Sequence, residues 1–453
     1  MDLSGKKVLI VGLARTGVAL TRFLVPRGAK VTITDQADPG DLQEKLAEIE
    51  GLSVNLVLGD SYPGPWRDAE LILLSPGVPP ELPWLAAARE QGIPVWGELE
   101  LAGLFIKLPV IAVTGTNGKT TTTTLVGQML AASHLRPLVG GNIGTPVLEL
   151  LAHQDQADYL VLEVSSFQLD TAPHFHPQEA ALLNITPDHL DRYAGYQAYI
   201  ASKAGLFRCQ ESHELKVLNA DDPVVASLGQ GKGKVYYFAS HNSQTLGAWL
   251  TREAIRVRLD SGWEGSFPLR DILLREKHNL ENIMAALLLA LEAGADPEAC
   301  RQVLSRFKGL PHRLQWVAAI DGVDYYDDSK GTNVGAVSRS LGHFDRPVIL
   351  IAGGRDKDSD FSLLAPFVKE KVKALVLLGE TKTHLAQVWH GLAPAYLVED
   401  MAEAVRQARQ LASPGEVVLL SPGCASFDMF RDYAHRGETF QQLVREVAHD
   451  SHH

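Results

Sequence analysis

The chain has 453 residues, of which 45% are hydrophobic and 21% are charged, and its formal net charge is -12. This length predicts roughly two to four domains, and the composition is typical of a soluble globular protein. The acidic balance argues against nonspecific nucleic-acid binding, which needs clustered Lys and Arg to displace counterions from phosphates. We therefore expect no nucleic-acid partner.

The cysteines and the apolar segments indicate neither a secreted nor a membrane protein. Cys209, Cys300 and Cys424 lie far apart and form no CxxC pair, so neither a disulfide framework nor a zinc site is expected. The N-terminus lacks the apolar core of a signal peptide, and no window has the ~18 uninterrupted apolar residues of a spanning helix. We expect a cytoplasmic protein without membrane insertion.

Strand and helix patterns alternate in three successive stretches, which predicts three α/β units. The first contains "KKVLIVG", a helix, a second strand that ends at Asp35, and "AELILLSPG". The second opens at "LPVIAVTGTNGKT", continues through "DYLVLEVSS", "EAALLNIT" and "LKVLNADDP", and closes with the helix "HNLENIMAALLLALEAG". The third contains "RPVILIAGG", "VKALVLLGE" and "GEVVLLSPG". Because ligands of open parallel sheets bind beyond the carboxyl ends of the strands, the polar residues after each strand are the candidate site residues.

The stretch "IAVTGTNGKTTTTTLV" predicts a phosphate-binding loop that is shorter than the common G-x-x-x-x-G-K-[ST] pattern. That pattern would place its first glycine where the chain has Val113, and the nearest glycine is Gly115. Gly115 and Gly118 would let backbone amides approach a polyphosphate at a helix N-terminus. Lys119 would reach the phosphate oxygens, and Thr120 would bind magnesium. An ordinary strand-to-helix turn is the alternative, but the Lys-Thr pair favours a nucleotide site.

Three further residues are candidate partners of this loop. Glu163 ends the apolar strand "VLEVSS" and is a candidate magnesium ligand, although an acid at a strand end can also simply face solvent. His189 follows a further strand, and Lys203 lies on a mostly apolar helix. Taken alone, the histidine is more often a structural hydrogen-bonding group, and the lysine usually extends its ammonium to water.

The ordered motifs resemble those of the Mur ligases, which are ATP-dependent amino-acid ligases of peptidoglycan precursor synthesis. The motifs are "TGTNGKT", "GGNIG", "LEVSSFQLD", "NITPDHLDRY", "KHNLENIMAA", "GLPHR", "YDDSKGTN", "GGRDKDSDF" and "LLSPGCASFDMF". They extend from near the N-terminus to about Glu438, and they are most similar to those of members that add D-glutamate to UDP-N-acetylmuramoyl-L-alanine. The family also uses the shorter loop form, which explains the missing glycine.

The resemblance implies an α/β fold with three domains. These are a Rossmann-like domain for the UDP substrate (1–98), a P-loop-type central ATPase domain (99–309) and a Rossmann-like C-terminal domain for the amino acid (310–453). It further implies a monomer, the small-molecule substrates ATP, UDP-N-acetylmuramoyl-L-alanine and D-glutamate, and two Mg²⁺ sites. Lys203 would be carbamylated, which turns a cation into an anionic oxygen ligand.

The resemblance also implies site residues by position. Those expected to bind ATP are Gly115, Thr116, Asn117, Gly118, Lys119, Thr120, Thr121, Asn279, Asn282, Arg313 and Asp328. Those expected to bind the UDP substrate are Ala14, Arg15, Thr16, Gly17, Asp35, Ser75, Gly77, Asn142, Ser165, Gln168 and His189. Those expected to bind D-glutamate are Lys330, Thr332, Lys357, Ser426, Phe427 and Tyr433. The expected metal ligands are Thr120, Glu163, His189 and carbamylated Lys203, and the expected catalytic residues are Lys119, Glu163, His189, Lys203 and Lys357.

The sequence departs from the family pattern at the first turn and after the second strand. Ala14 stands where a glycine is usual, and Gln36 and Ala37 replace a hydroxyl and a basic residue. Tyr433 stands where phenylalanine is more frequent. Four other interpretations of the sequence compete with this one: an NAD-dependent oxidoreductase, a nonenzymatic NTPase switch or scaffold, another Mur ligase and a folylpolyglutamate synthase. The first leaves the Lys119 loop without a role, and "SPGCASFDMF" favours the D-glutamate enzymes over the other ligases.

Overall fold

The structure is a computed structural model that describes residues 1–241, 246–356 and 359–450. The chain divides into two compact units: a first unit of Met1–Ile185 with Gln197–Phe307, and a second unit of Thr186–Tyr196 with Lys308–His453. Within the described ranges the strands form three sheets, two in the first unit and one in the second. Helices pack against these sheets, so the predicted α/β class is confirmed. The three domain boundaries remain a prediction.

The first sheet is parallel and has the strand order β3-β2-β1-β4-β5. Its strands are β1 Lys7–Val11, β2 Lys30–Asp35, β3 Val54–Leu58, β4 Leu71–Leu74 and β5 Val95–Gly97. The helices of this part are α1 Arg15–Leu24, α2 Gln43–Ala47, α3 Pro83–Glu90 and α4 Glu98–Gly103. The chain order reverses between β1 and β4, and such a switch point is where open α/β sheets bind ligands.

The second sheet has the order β14-β13-β12-β11-β10-β9-β6-β8-β7, parallel from β7 to β12 and antiparallel at β13 and β14. Its strands are β6 Val110–Thr114, β7 Pro137–Gly141, β8 Tyr159–Glu163, β9 Glu179–Leu182, β10 Leu215–Asn219, β11 Lys234–Ala239, β12 Gly247–Leu250, β13 Ala254–Arg258 and β14 Glu264–Pro268. Its helices are α5 Lys119–Ala132, α6 Val147–Leu150, α7 Ser166–Leu169, α8 Tyr196–Ala204, α9 Pro223–Ala226, α10 Lys277–Glu292 and α11 Pro297–Leu304. The central strands β6, β8 and β9 are almost entirely buried, as their continuous apolar runs predict.

Helix α4 connects the two sheets of the first unit through buried acidic side chains. Glu98 and Glu100 are only 3% and 4% exposed. Glu98 Oε1 accepts a hydrogen bond from Leu148 N in α6, and Glu100 Oε2 accepts one from His174 N. Burial raises the pKa of Glu98 to about 7. The two side chains therefore connect α4 to α6 and to the turn at His174, which follows β8 of the second sheet.

The second unit contains one mixed sheet with the order β15-β16-β20-β17-β18-β19. Its strands are β15 Gln315–Ile320, β16 Val323–Asp327, β17 Val348–Ala352, β18 Val372–Leu377, β19 Ala395–Leu397 and β20 Val417–Leu420. Its helices are α12 Val334–Gly342, α13 Ala365–Lys371, α14 Lys382–Val388, α15 Met401–Leu411 and α16 Tyr433–Asp450. Apolar clusters cover both faces of the sheet. Among the residues that the structure describes, no helix is both long enough and apolar enough to cross a membrane.

Candidate active site

The turn after β1 is tightened by the residues predicted to bind the UDP substrate. Gly12 has φ 90, and a Cβ on Gly17 would lie 2.3 Å from the Gly12 carbonyl oxygen. Ser75 Oγ, at the end of β4, donates to that same carbonyl at 2.7 Å. Asp35 Oδ2 accepts from Leu13 N at 2.7 Å. The turn thus needs Gly17, Ser75 and Asp35 for its own geometry, whatever they contribute to a ligand.

The predicted phosphate loop lies between β6 and α5 and has the backbone of an anion-binding turn. Gly115 and Gly118 have φ 153 and 86, which are conformations that favour glycine. A Cβ on Gly118 would lie 2.1 Å from Asn282 Oδ1 of α10. Lys119 is the first residue of α5, so the loop leads directly into a helix N-terminus. Another residue at position 118 would be strained in φ and would displace the Asn282 carboxamide.

Two lysines bind the loop's carbonyl oxygens. Lys119 Nζ donates to Gly115 O at 2.8 Å and to Thr116 O at 3.0 Å. Lys203 Nζ, on α8, donates to Gly115 O at 3.0 Å, and this lysine is only 2% exposed. The ring of Tyr199 lies 4.7 Å from Lys203 Nζ, and its hydroxyl is 3.2 Å from Thr116 Oγ1. Lys203 is therefore a buried part of the loop's surroundings rather than a lysine that extends to water.

A residue that the sequence did not single out, Asn184, makes three contacts with the same loop. Its Oδ1 accepts from Asn117 N at 2.9 Å, and its Nδ2 donates to Asn117 O at 3.0 Å. Its own backbone oxygen accepts from Thr116 N at 2.9 Å. Asn184 follows β9, the strand next to β6 in the sheet. It therefore fixes both polar groups of one loop residue from the neighbouring strand.

Glu163 lies at the carboxyl end of β8, in register with Val113 just before the loop. Its side chain is 2% exposed. Oε1 accepts from Asn142 Nδ2 at 2.8 Å, whereas none of the described residues donates to the buried Oε2. A buried carboxylate oxygen without a donor is costly unless a cation or water binds it. This atom therefore fits the prediction of a Mg²⁺ ligand, because magnesium prefers oxygen donors.

Four other predicted residues of the first unit have contacts of their own. Ser165 and Gln168 form a capping box at the start of α7, in which Ser165 Oγ accepts from Gln168 N. Asn279 Nδ2 donates to Glu276 Oε2 at 2.9 Å near the start of α10, and Asn282 faces Gly118. These contacts explain the residues structurally, so their ligand roles stay predictions. Within the described ranges, no three His, Cys, Asp or Glu side chains form a metal-binding group.

In the second unit, His189 has the left-handed φ of 56. Its backbone N donates to Asp188 Oδ1 at 2.9 Å, and its Nε2 lies 3.7 Å from Asp188 Oδ2. Asn333 Nδ2 donates to that Oδ2 at 2.9 Å. Asp188, which was not predicted, therefore orients the predicted His189.

The predicted ATP residue Asp328 is buried among hydrogen-bond donors. Its Oδ2 accepts from Ser340 Oγ and from Ser421 Oγ, both at 2.7 Å, and its Oδ1 accepts from Leu314 N at 3.2 Å. Burial raises the pKa of Asp328 to about 6, although the serine hydroxyls oppose this rise and the positive charge of Arg313 does so to a smaller extent.

The loops that carry the predicted amino-acid residues are connected by Arg436 of α16. This guanidinium is 2% exposed and donates to Ser329 Oγ, Ser329 O, Cys424 O and Ala425 O. Burial lowers its pKa to about 10, so it stays charged at neutral pH. Arg436 was not predicted, and it joins the segment before Lys330 to the segment before Ser426.

The residues predicted to bind D-glutamate differ in how exposed their side chains are. Lys330 Nζ lies 3.6 Å from the centroid of the Tyr433 ring, which is a cation–π contact. Ser426 is 2% exposed and Phe427 is 64% exposed. Thr332 is half-buried one residue after Gly331. Lys357 lies outside the described residues.

Three family models match successive parts of the chain. They are "Mur ligase MurD-like, N-terminal domain" at residues 6–97, "Mur ligase middle domain" at 113–290 and "Mur ligase, glutamate ligase domain" at 312–424. The chain is 46% identical over 452 residues to a UDP-N-acetylmuramoylalanine--D-glutamate ligase of Geotalea daltonii, covering 99% of both. A protein of the same name from Geobacter metallireducens is 45% identical over 447 residues, again covering 99% of both.

Solved structures share the fold at lower identity. A pseudomurein peptide ligase type C from Methanothermus fervidus has a TM-score of 0.61 and 19% identity, covering 98% of this chain and 100% of that one. A UDP-N-acetylmuramate-alanine ligase from Thermotoga maritima has a TM-score of 0.60 and 19% identity, covering 97% and 99%. These similarities concern the fold alone.

Proposed function

Because the chain belongs to the Mur ligase family, we propose that it is the ATP-dependent ligase that adds D-glutamate to UDP-N-acetylmuramoyl-L-alanine in peptidoglycan precursor synthesis. The full-length relatives that carry this name support the choice of substrates. The observation that carries the proposal is Glu163, a buried carboxylate at the end of the strand beside the phosphate loop, with one oxygen to which none of the described residues donates. A phosphate-binding loop beside a carboxylate that can hold a metal ion is an arrangement that serves phosphoryl transfer.

The reaction needs two steps, because a carboxylate is a poor electrophile. The carboxylate of the UDP substrate attacks the γ-phosphorus of ATP, and ADP leaves, which gives an acyl phosphate. The amino group of D-glutamate then attacks the acyl carbon, loses a proton and expels phosphate, which leaves the amide. Lys119 would offset the negative charge of the transferred phosphoryl group, and Lys357 would offset the negative charge of the substrate carboxylates. The loop's fixed backbone supplies orientation without reorganisation during the step.

We propose Thr120 and Glu163 as protein ligands of one Mg²⁺, and His189 with carbamylated Lys203 as ligands of a second. Magnesium supplies charge neutralisation to the phosphate oxygens. Glu163 Oε2, which accepts no hydrogen bond from any residue in the described ranges, supports the first set. The burial of Lys203 supports its modification, because an anionic, oxygen-bearing carbamate would replace a buried ammonium that repels a neighbouring metal ion. Its Nζ would keep one N–H for Gly115 O.

We propose that the other predicted residues bind the substrates as the family pattern implies. The turn at Gly12–Gly17, with Asp35 and Ser75, would hold the uridine diphosphate, and Asn142 would contact the muramoyl part while holding Glu163. Lys330, Thr332, Lys357, Ser426, Phe427 and Tyr433 would bind D-glutamate. The exposed Phe427 ring and the buried Ser426 offer an apolar and a polar contact to that amino acid. We further propose a monomer in the cytoplasm, where ATP and UDP-linked sugars occur.

Phosphate release with ATP, Mg²⁺ and UDP-N-acetylmuramoyl-L-alanine, measured against a panel of amino acids, tests the function. We expect release to depend on D-glutamate, with product mass equal to the sum of both substrates less one water. Release without any amino acid, or release supported best by L-lysine or diaminopimelate, would overturn the assignment.

The carbamate is tested by Lys203→Ala. We expect activity to be lost and bicarbonate not to restore it, because the variant has no amine to modify. A carbamate carbon signal from labelled bicarbonate should be visible by NMR in the unsubstituted protein and absent from the variant. Retained activity in the variant would end this part of the proposal.

A further inference from the structure

We propose that Asn184 is the positioning residue of the phosphate loop: its carboxamide holds the Asn117 peptide groups and so keeps residues 115–118 in their nucleotide-binding conformation before ATP arrives. The inference rests on the proposed function, because it assumes that this loop binds ATP. It adds a residue for which the sequence motifs gave no role. Its support comes from the contacts of Asn184, from the state of the loop's carbonyls and from the way Asn184 is itself held.

A carboxamide suits this task because it carries a donor and an acceptor in one plane. Asn184 donates from Nδ2 to Asn117 O and accepts at Oδ1 from Asn117 N, at 3.0 and 2.9 Å. The backbone oxygen of Asn184 accepts from Thr116 N. The side chain thus binds both polar groups of Asn117 as a neighbouring strand would. An ionised aspartate accepts hydrogen bonds but donates none, and an aliphatic side chain of similar size does neither.

The loop's carbonyls are all engaged on the protein side. Lys119 and Lys203 bind Gly115 O, Lys119 binds Thr116 O, and Asn184 binds Asn117 O. A carbonyl that turned toward a triphosphate would repel its oxygens, so fixing these groups inward favours anion binding. Asn184 is a neutral donor, so its hold on the loop depends neither on the charge of Lys119 nor on the modification proposed for Lys203.

Asn184 lies on a segment that is fixed on both sides. Asn219 Nδ2, from the end of β10, donates to Leu183 O at 3.0 Å. Ile185 N donates to Asp222 Oδ2 at 2.8 Å. A Cβ on Gly115 would lie 3.1 Å from Leu183 Cβ, so the loop and this segment are already close together. A rigid support of this kind is what a positioning residue needs.

The test compares Asn184→Ala and Asn184→Asp with Gln210→Ala as the matched control. Gln210 is also a buried amide, 2% exposed, and its Nε2 donates to Pro177 O and Leu215 O. Those carbonyls lie just before β9 and at the first residue of β10, whereas Asn184 follows the carboxyl end of β9. Gln210→Ala should therefore reproduce the loss of a buried amide without touching the loop.

We expect both Asn184 variants to raise KM for ATP by about 10- to 100-fold while kcat falls by less than about threefold, because bound ATP restores the loop that the free protein no longer holds. Asn184→Asp keeps the acceptor for Asn117 N but loses the donor to Asn117 O. It also changes less volume than Asn184→Ala, so it serves if the alanine variant does not fold. Gln210→Ala should keep KM for ATP within about twofold and lower only the thermal unfolding temperature.

Hydrogen exchange of the nucleotide-free protein gives a second readout. Amides of residues 112–122 should exchange about tenfold faster in Asn184→Ala than in the unsubstituted chain, and saturating ATP should remove the difference. An unchanged KM for ATP, or an equal rise in KM in Gln210→Ala, would overturn the positioning role. A wild-type protein without amino-acid-dependent phosphate release would instead overturn the proposed function, which separates the two failures.

Discussion

Two buried carboxylates, Glu163 in the first unit and Asp328 in the second, have opposite surroundings. Glu163 has one oxygen held by an asparagine amide and one oxygen to which no described residue donates. The Asp328 carboxylate accepts hydrogen bonds from two serine hydroxyls and from one backbone amide. Both are almost inaccessible to water, at 2% and 6% exposure. Burial alone therefore does not show which buried acid has an oxygen left for a ligand.

The difference between them lies in how completely the protein satisfies each group. A carboxylate whose oxygens are satisfied internally stabilises the segments that donate to it. One with an open oxygen is unfavourable in the isolated protein and gains most from an external cation. Glu163 therefore has an oxygen to which no described residue donates, whereas both oxygens of Asp328 accept hydrogen bonds from residues of its own unit.

Of the three substitutions that test this difference, Glu163→Gln should have the largest effect, and the effect is on activity. The glutamine oxygen can still accept from Asn142, but the charge that would bind magnesium is gone. We expect phosphate release to fall by about 10³-fold, which corresponds to about 4 kcal/mol, with unchanged or higher thermal stability. Steady-state phosphate release and calorimetry measure the two effects. Activity above about a tenth of the original would show that this oxygen does not serve the reaction.

Arg436→Ala tests the internally satisfied groups of the second unit, because it removes the guanidinium that joins two of its loops. Several buried carbonyls lose their donor and a cavity forms, so we expect a loss of about 3 kcal/mol in the free energy of unfolding. The matched control is Arg355→Ala, whose exposed side chain pairs with Glu380 and should contribute less than about 1 kcal/mol. Equal effects of the two substitutions in chemical denaturation would contradict the internal-support role.

Asp328→Asn should have the smallest effect, and the size of that effect depends on pH. The pKa of Asp328 is raised from 3.8 to about 6, so the fold favours the protonated acid and loses stability as the pH rises through 6. An asparagine can donate to both serine oxygens and accept from Leu314 N. We expect near-equal stability at pH 4 and a variant more stable by about 2 kcal/mol at pH 7. If the unfolding temperatures of the variant and of the unsubstituted protein changed in parallel with pH, the raised pKa of Asp328 would be refuted.

The sequence predicted the central strands better than the edges of the sheets. Strands β1, β6, β8, β17 and β20 have continuous apolar runs and are buried on both faces, which is the pattern used to find them. Strands β3, β15 and β19 lie at sheet edges, and β19 is exposed along its whole length. With one face or edge in water, such strands lose the apolar run that identifies them.

The same limit applies to the site. Motif spacing pointed to the glycine loop, Lys119 and Glu163, because each lies at or just after the carboxyl end of a strand in the parallel part of the second sheet. Asn184, Asp188 and Arg436 act through hydrogen bonds to residues far away in the chain, and Asn and Arg side chains carry no periodic signal. Arg436, for example, donates to a residue 107 positions earlier. Only the folded chain brings such partners together.

The contact between Asn184 and the phosphate loop also constrains the order of folding. The two partners are 67 residues apart, and they meet only after β9 has paired with β6. Contacts over such separations form slowly, because a long loop must close first. The nucleotide site should therefore mature after the local β6–α5 turn has formed. ATP binding during refolding would then report the completion of the sheet rather than its beginning.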